Sequence, residues 1–79
     1  MIARREKLPV PLPDRVWEAL RHRLCDGFSC KETSLRMAVS GHTVDVYMSQ
    51  VRARLKVQTR GMAPLMSYLV DAGVLEREA

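Results

Sequence analysis

The residues of this 79-residue chain with chemistry beyond packing are two cysteines, two histidines and an unevenly placed set of cations. Cys25, Cys30, His22 and His42 would have to converge to hold a metal, yet no Cys-x-x-Cys or His-x-x-x-His unit brings two of them onto one turn. Two cysteines make no disulfide framework, and both thiols read as ordinary half-buried side chains. The chain has no glycine-rich phosphate loop and no Ser/His/Asp or Cys/His constellation. Catalysis needs polar groups converging on a concavity, so the chain reads as a non-enzyme with no metal and no cofactor. The cations remain. Lys31, Arg36, Arg52, Arg54, Lys56 and Arg60 are opposed between positions 31 and 60 only by Glu32 and Asp45, whereas Asp71, Glu76 and Glu78 face Arg77 alone after Gly61. A positive middle beside a mildly acidic end, within a net charge of +4, suits binding of a polyanion. A solvated basic face would have the same composition, so the elements that carry these residues must decide.

The length allows one domain with a modest core, which gains stability from a partner such as a second copy. Residues 1–13 read as an extended arm. Pro9, Pro11 and Pro13 alternate with Val10 and Leu12, which forbids helix, and Arg4, Arg5 and Lys7 precede them. The arm is read first as a frayed terminus, with contact to phosphate or the minor groove as its functional alternative. The remaining domain spans 14–79. Asp14 is placed as the cap of a first helix reaching about Asp26, with Trp17, Leu20 and Leu24 on one face and Phe28 after the turn at Gly27. Ser29-Cys30-Lys31-Glu32 is a capping box that opens a short second helix to about Met37. Ala38-Val39-Ser40 forms a tight turn, and Ser40 caps a third helix, 41–55. Two short helices joined by three residues make a helix-turn-helix.

The third helix divides cleanly at 100° per residue. Val44, Tyr47, Met48, Val51 and Leu55 share one side; His42, Asp45, Val46, Ser49, Gln50 and Ala53 share the other, with Arg52 and Arg54 on the flanks. A helix in a major groove needs low relief toward the bases and cations toward the phosphates. A fourth helix is expected from Thr59 or Gly61 to just before Gly73, a left-handed cap over which Val74 packs back, with Pro64 in or near its first turn. Its stripe of Met62, Leu65, Met66, Leu69 and Val70 is wider than so small a core hides, so part of it is assigned to a dimer interface. No run approaches the roughly 20 apolar residues of a membrane span, and the start lacks a secretory signal's apolar core. The expected location is the cytoplasm, at the nucleoid.

The segment from Gly27 to Arg60 resembles the DNA-binding domain of LuxR-type (GerE-like) transcription regulators. That family's pattern is Gly-x-Ser-x-Lys-Glu-Ile-Ala, then Leu-x-Ile-Ser-x-x-Thr-Val-Lys-x-His, then Ile-x-x-Lys-Leu-x-Val and an Arg three residues on. The chain keeps Gly27, Ser29, Lys31, Glu32, Ser40, Thr43, Val44, Leu55, Val57 and Arg60, and substitutes conservatively at Met37, Val39, Val51 and Arg54. The likeness continues through Ala63 to Ala72-Gly73-Val74-Leu75 and covers roughly two thirds of the chain without a gap. It implies an all-α, four-helix domain whose third helix enters the major groove of double-stranded DNA and whose fourth helix mediates homodimerisation. By position, it implies that Lys31, Thr43, Arg54 and Arg60 hold phosphates, with Asp45, Val46 and Ser49 at base-reading positions and Gln50 beside them. His42, Arg52 and Lys56 complete the expected DNA surface.

Several residues depart from the family pattern. Asp45 stands where the family has Lys, opposing a polyanion unless it accepts from a cytosine amino group. Ala38 stands where the family usually has Gly, Trp17 replaces a Glu and Arg21 a Leu. Relatives usually carry the domain behind a receiver or ligand-binding domain; Met1 and the proline-marked arm favour a stand-alone regulator, controlled by its expression level or by a partner protein. RNA polymerase or another regulator is the protein partner considered. The competing reading is a protein-interaction module that pairs with another regulator and silences it without binding DNA.

Overall fold

Proline decides where the first helix can begin. The computed structural model describes residues 1–58 and 60–78, and in it Pro13 is extended (φ −57°, ψ 151°) and α1 runs Asp14–Leu20. Asp14 is therefore the first helical residue and not the cap expected for it. Its carboxylate pairs instead with Arg5 at 2.6 Å, and Pro13 supplies the carbonyl that the Trp17 amide reaches. The helix does not continue regularly to Asp26. Over Arg21–Cys25 it widens into a π-helical segment, which ends where the Asp26 amide bonds the Arg21 carbonyl and Gly27 takes φ +69°. Val16, Trp17, Leu20 and Leu24 are buried along this rod.

The capping box forms as read. The Glu32 amide donates to Ser29 Oγ and the Ser29 amide donates to Glu32 Oε1, opening α2, Cys30–Met37. Ala38-Val39-Ser40 then turns the chain, and Ser40 Oγ accepts from the Thr43 amide to open α3, Gly41–Leu55. Helices α2 and α3 end alike. At each C-terminus a left-handed residue donates to the carbonyl three back, and its successor donates to the carbonyl five back: Ala38 to Leu35 with Val39 to Ser34, and Lys56 to Ala53 with Val57 to Arg52. This is the Schellman arrangement, which usually recruits glycine; here Ala38 (φ 57°) and Lys56 (φ 58°) fill the position. Helix α4, Met62–Asp71, follows Gly61 and stops in the same way, with Gly73 (φ +79°) in the glycine's usual place. Pro64 sits in its first turn, where no amide is missed. The start at Thr59 lies outside the described residues.

The chain then does something its local pattern does not announce. Ile2–Ala3 (β1) pairs antiparallel with Leu75–Glu76 (β2), Ile2 opposite Glu76 and Ala3 opposite Leu75. Arg4 adds a backbone bond to the Val74 carbonyl at 2.7 Å and an ion pair to Glu76 at 2.8 Å. A short 3-10 turn at Arg5–Lys7 follows, and Leu12 is buried in the core. The first thirteen residues are thus a strap over the core, not a frayed terminus, because apolar Ala3, Leu8, Val10 and Leu12 find seats against it. The architecture is mostly helical with a two-stranded tie. One core joins Leu12, Val16, Leu20, Val44, Met48, Val51, Leu65, Leu69, Val74 and Leu75.

Candidate nucleic-acid interface

Helix α3 shows to solvent the face its periodicity assigned. Val44, Met48, Val51 and Leu55 are buried and Tyr47 is half-buried, while His42, Asp45, Val46, Ser49, Ala53 and Arg54 are exposed and Gln50 is half-buried. The exposed strip has low relief, since only His42 and Arg54 carry side chains of any length, and both stand at its ends or edge. Lys31, near the start of α2, and Lys56, just past α3, are exposed as well, as is Arg60. Lys56 owes its place to its left-handed backbone, a strained conformation for a side-chain-bearing residue.

The two flanks of α3 differ. Arg54 lies on the flank open to water. Arg52 lies on the flank covered by the loop into α4: it is half-buried, donates from Nη2 to the Gly61 carbonyl at 3.3 Å, and its buried Nε has no partner among the described residues. Its guanidinium is thus partly enclosed where that of Arg54 is open to water. Arg36 is also engaged, its guanidinium stacked over the Phe28 ring at 5.2 Å. Thr43 is half-buried, with its hydroxyl 2.9 Å from Ser40 Oγ.

Asp45 is not left bare. Its Oδ1 accepts from the Cys30 thiol at 3.5 Å, and the same sulfur lies 3.4 Å from the Gly41 carbonyl. Desolvation first, then the hydrogen bond to Asp45 and its charge, push the Cys30 thiol above its ordinary value; Arg23 pulls the other way. The thiol form is thereby favoured, and its one hydrogen can go to either the Gly41 carbonyl or the Asp45 carboxylate. Burial likewise raises the Cys25 thiol, with Asp26 adding to it. Among the described residues no group of three or more His, Cys, Asp or Glu side chains comes together to hold a metal.

The apolar stripe of α4 is divided by the core. Leu65 and Leu69 are fully buried inside the chain and cannot also face a partner. Met62, Met66 and Val70 are half-buried and are the members of the expected dimer interface that remain accessible. No helix among the described residues is long and apolar enough to cross a membrane.

Sequence reasoning missed the contributions of the first helix and its approach. Arg15 Nη2 donates to the Met37 carbonyl at 2.7 Å, capping α2 from outside. Arg23 Nη1 reaches the Phe28 carbonyl at 2.7 Å and borders the same cleft as Arg52 and Arg60. Neither residue carries a local signal, because each acts across a turn or between helices. Compared with known proteins, the chain matches no family model, no curated protein and no solved structure.

Proposed function

We propose that the chain is a sequence-specific DNA-binding transcription regulator of the LuxR-type helix-turn-helix class, with α3 laid in the major groove. The observation that supports this most is the face of α3. A low strip of Asp45, Val46 and Ser49, two polar side chains about one short apolar one, is exposed between exposed cations at Lys31, Arg54, Lys56 and Arg60, on a helix held from behind by four core residues. Cations at the borders hold the backbone while short side chains approach base edges. In this reading Asp45 accepts from a cytosine amino group, and the Cys30 thiol keeps its second oxygen occupied. Dimerisation through Met62, Met66 and Val70 doubles the half-site and supplies the specificity that one small domain lacks.

Retention of fragmented genomic DNA by the purified protein, followed by sequencing, tests the reading; a recurrent palindromic motif is the expected result. On that motif Arg54→Ala weakens binding to all sequences alike, by about tenfold, the worth of a single charge-assisted hydrogen bond to phosphate. Asp45→Ala changes the preferred base instead. Affinity falls by roughly a thousandfold between 50 and 200 mM salt if about six phosphates are held. Absence of any retention at low salt overturns the proposal.

A second reading has its own observation. Leu35, on the outer side of α2, is 73% exposed, an apolar side chain with no role in reading DNA. Leu35 and the half-buried α4 methionines would then bind another regulator, and retention of a protein in place of DNA is the result that selects this reading.

A further inference from the structure

We propose that the cleft between the π-helical segment, α3 and the loop entering α4 binds a phosphate group. The cleft holds about 380 Å³ and brings together Arg23, Arg52 and Arg60, from three separate elements, with Asp45 as its one carboxylate and Ser49 as a hydroxyl. Asp45, Ser49 and Arg60 also belong to the surface proposed above for DNA, so a duplex phosphate in this cleft rests on that reading, whereas a free phosphate ester does not.

Among the described residues, three of the ten arginines form ion pairs and seven do not, and three of those seven meet in this cleft. Arg4, Arg5 and Arg15 each pair with a carboxylate. Among the described residues, Arg23, Arg52 and Arg60 form no ion pair, and Asp45, the acid closest to hand, is engaged by the Cys30 thiol. Three guanidinium groups beside one carboxylate leave an excess of two positive charges in a concave site, where field lines concentrate. Mutual repulsion among three cations is unfavourable in the empty cleft and is relieved by an anion.

Arg52 argues most directly for a ligand. A buried, unpartnered N–H costs stability, and native folds leave few of them. Nε and Nη2 lie on the guanidinium edge that grips two oxygens of a phosphate side by side. Among the described residues Nε has no partner, and Nη2 holds the Gly61 carbonyl at 3.3 Å, at the long end for such a bond. Gly61, at φ +103°, lies in the loop that a turn of this guanidinium toward the cleft would release. Arg23 is anchored by one nitrogen to the Phe28 carbonyl, which leaves its other donors for the ligand. A planar fork that must match a tetrahedral oxyanion accounts for arginine at all three positions, where lysine would serve solubility equally well.

The phosphate can belong to the backbone of a duplex or to a small free ester, and one experiment separates the two. The ¹⁵N-labelled protein is titrated with inorganic phosphate, against chloride at matched ionic strength, while the arginine Nε–Hε resonances are followed. Saturable shifts of Arg52 and Arg23 are expected with phosphate and not with chloride. Arg23→Met and Arg52→Lys each weaken this binding by about tenfold or more, whereas Arg77→Met, at an exposed arginine outside the cleft, leaves it unchanged. Shifts that never saturate, that chloride reproduces, or that survive Arg23→Met overturn the proposal. Backbone spectra of each variant verify that it is folded. A DNA duplex is then added. Loss of the phosphate response identifies a backbone phosphate as the occupant; a complex whose cleft still responds identifies the free ester. Absence of any DNA complex sinks the regulator reading and leaves the phosphate response standing.

Discussion

Thr33 is the residue whose environment most clearly disagrees with its chemistry. It lies on α2, fully buried, and its hydroxyl has no hydrogen-bond partner among the described residues. Thr33→Val replaces the hydroxyl by a methyl of similar size, at a comparable helix propensity. It should stabilise the fold by about 1 kcal/mol, or roughly 4–8 °C in Tm for a domain of this size. A thermal melt showing no gain would mean that the hydroxyl has a partner in solution. Arg52 Nε is unpartnered in the same way, but a guanidinium beside an open cleft can acquire a ligand, and a sealed threonine cannot. The same distinction separates Arg52 from Arg54: two residues apart on one helix, one is enclosed and the other free.

At the scale of the element, the ends of α2 give two tests. Its N-terminus is closed by Glu32, whose carboxyl is held below the ordinary value of about 4.3 by the backbone hydrogen bond from Ser29 and then by the Ser29 side chain. A carboxyl lowered in the folded state stabilises it above the unfolded pKa, and that contribution fades as pH falls through the folded pKa. Wild type should therefore be more stable than Glu32→Gln at pH 6, and the gap should close as the pH falls below about 4. A gap that stays constant from pH 6 to pH 3, in parallel chemical denaturations, would remove the charge from the explanation. The C-terminus is closed by Ala38 in a left-handed conformation. Ala38→Gly removes a penalty of about 1–2 kcal/mol, partly offset by the greater freedom of glycine in the unfolded chain. A net gain of up to about 1 kcal/mol is expected, with α3 undisturbed. Lys56→Gly relieves the equivalent strain after α3 but removes an exposed cation, so it should raise stability while weakening the DNA binding proposed above.

At the scale of the molecule, the two ends of the chain depend on each other. Met1, Ala3, Leu8 and Val10 pack against the core, Leu12 is 3% exposed, and β1 covers the edge of β2 beside Val74 and Leu75. A frayed arm could be removed without cost; this strap cannot. Deleting residues 1–12 should destabilise the protein by at least about 2 kcal/mol, the burial of Leu12 alone, and should expose Trp17 and Leu75. A truncated chain with an unchanged urea midpoint would show that the strap is not held in solution. Two of the three arm cations, Arg4 and Arg5, are already paired with Glu76 and Asp14, which leaves Lys7 as the arm's one exposed cation without an ion pair among the described residues. The oligomeric state belongs to this scale too. Leu65 and Leu69 support the core, so a charge placed there would unfold the chain, and Met66→Glu is the change that tests the dimer proposed above: light scattering should give a folded monomer, and a surviving dimer removes α4 from that role.

The sequence by itself determined the features whose causes lie within a turn or two of chain. The box at Ser29 and Glu32, the cap at Ser40, the stop at Gly73 and the division of α3 into an apolar and a polar side all arise from i to i+3 and i+4 relations, which spacing alone reveals. Spacing misplaces the start of α1 by one residue, because Pro13, whose carbonyl closes the first turn, looks like the end of the arm. Only the tertiary structure decided the rest. It paired the termini, closed the π-helical segment, buried Leu65 and Leu69 while sparing Met62 and Met66, and enclosed Arg52 while leaving Arg54 in water. Each of those outcomes depends on what a distant segment places opposite a side chain, and periodicity, which is blind to sequence separation, carries no record of it.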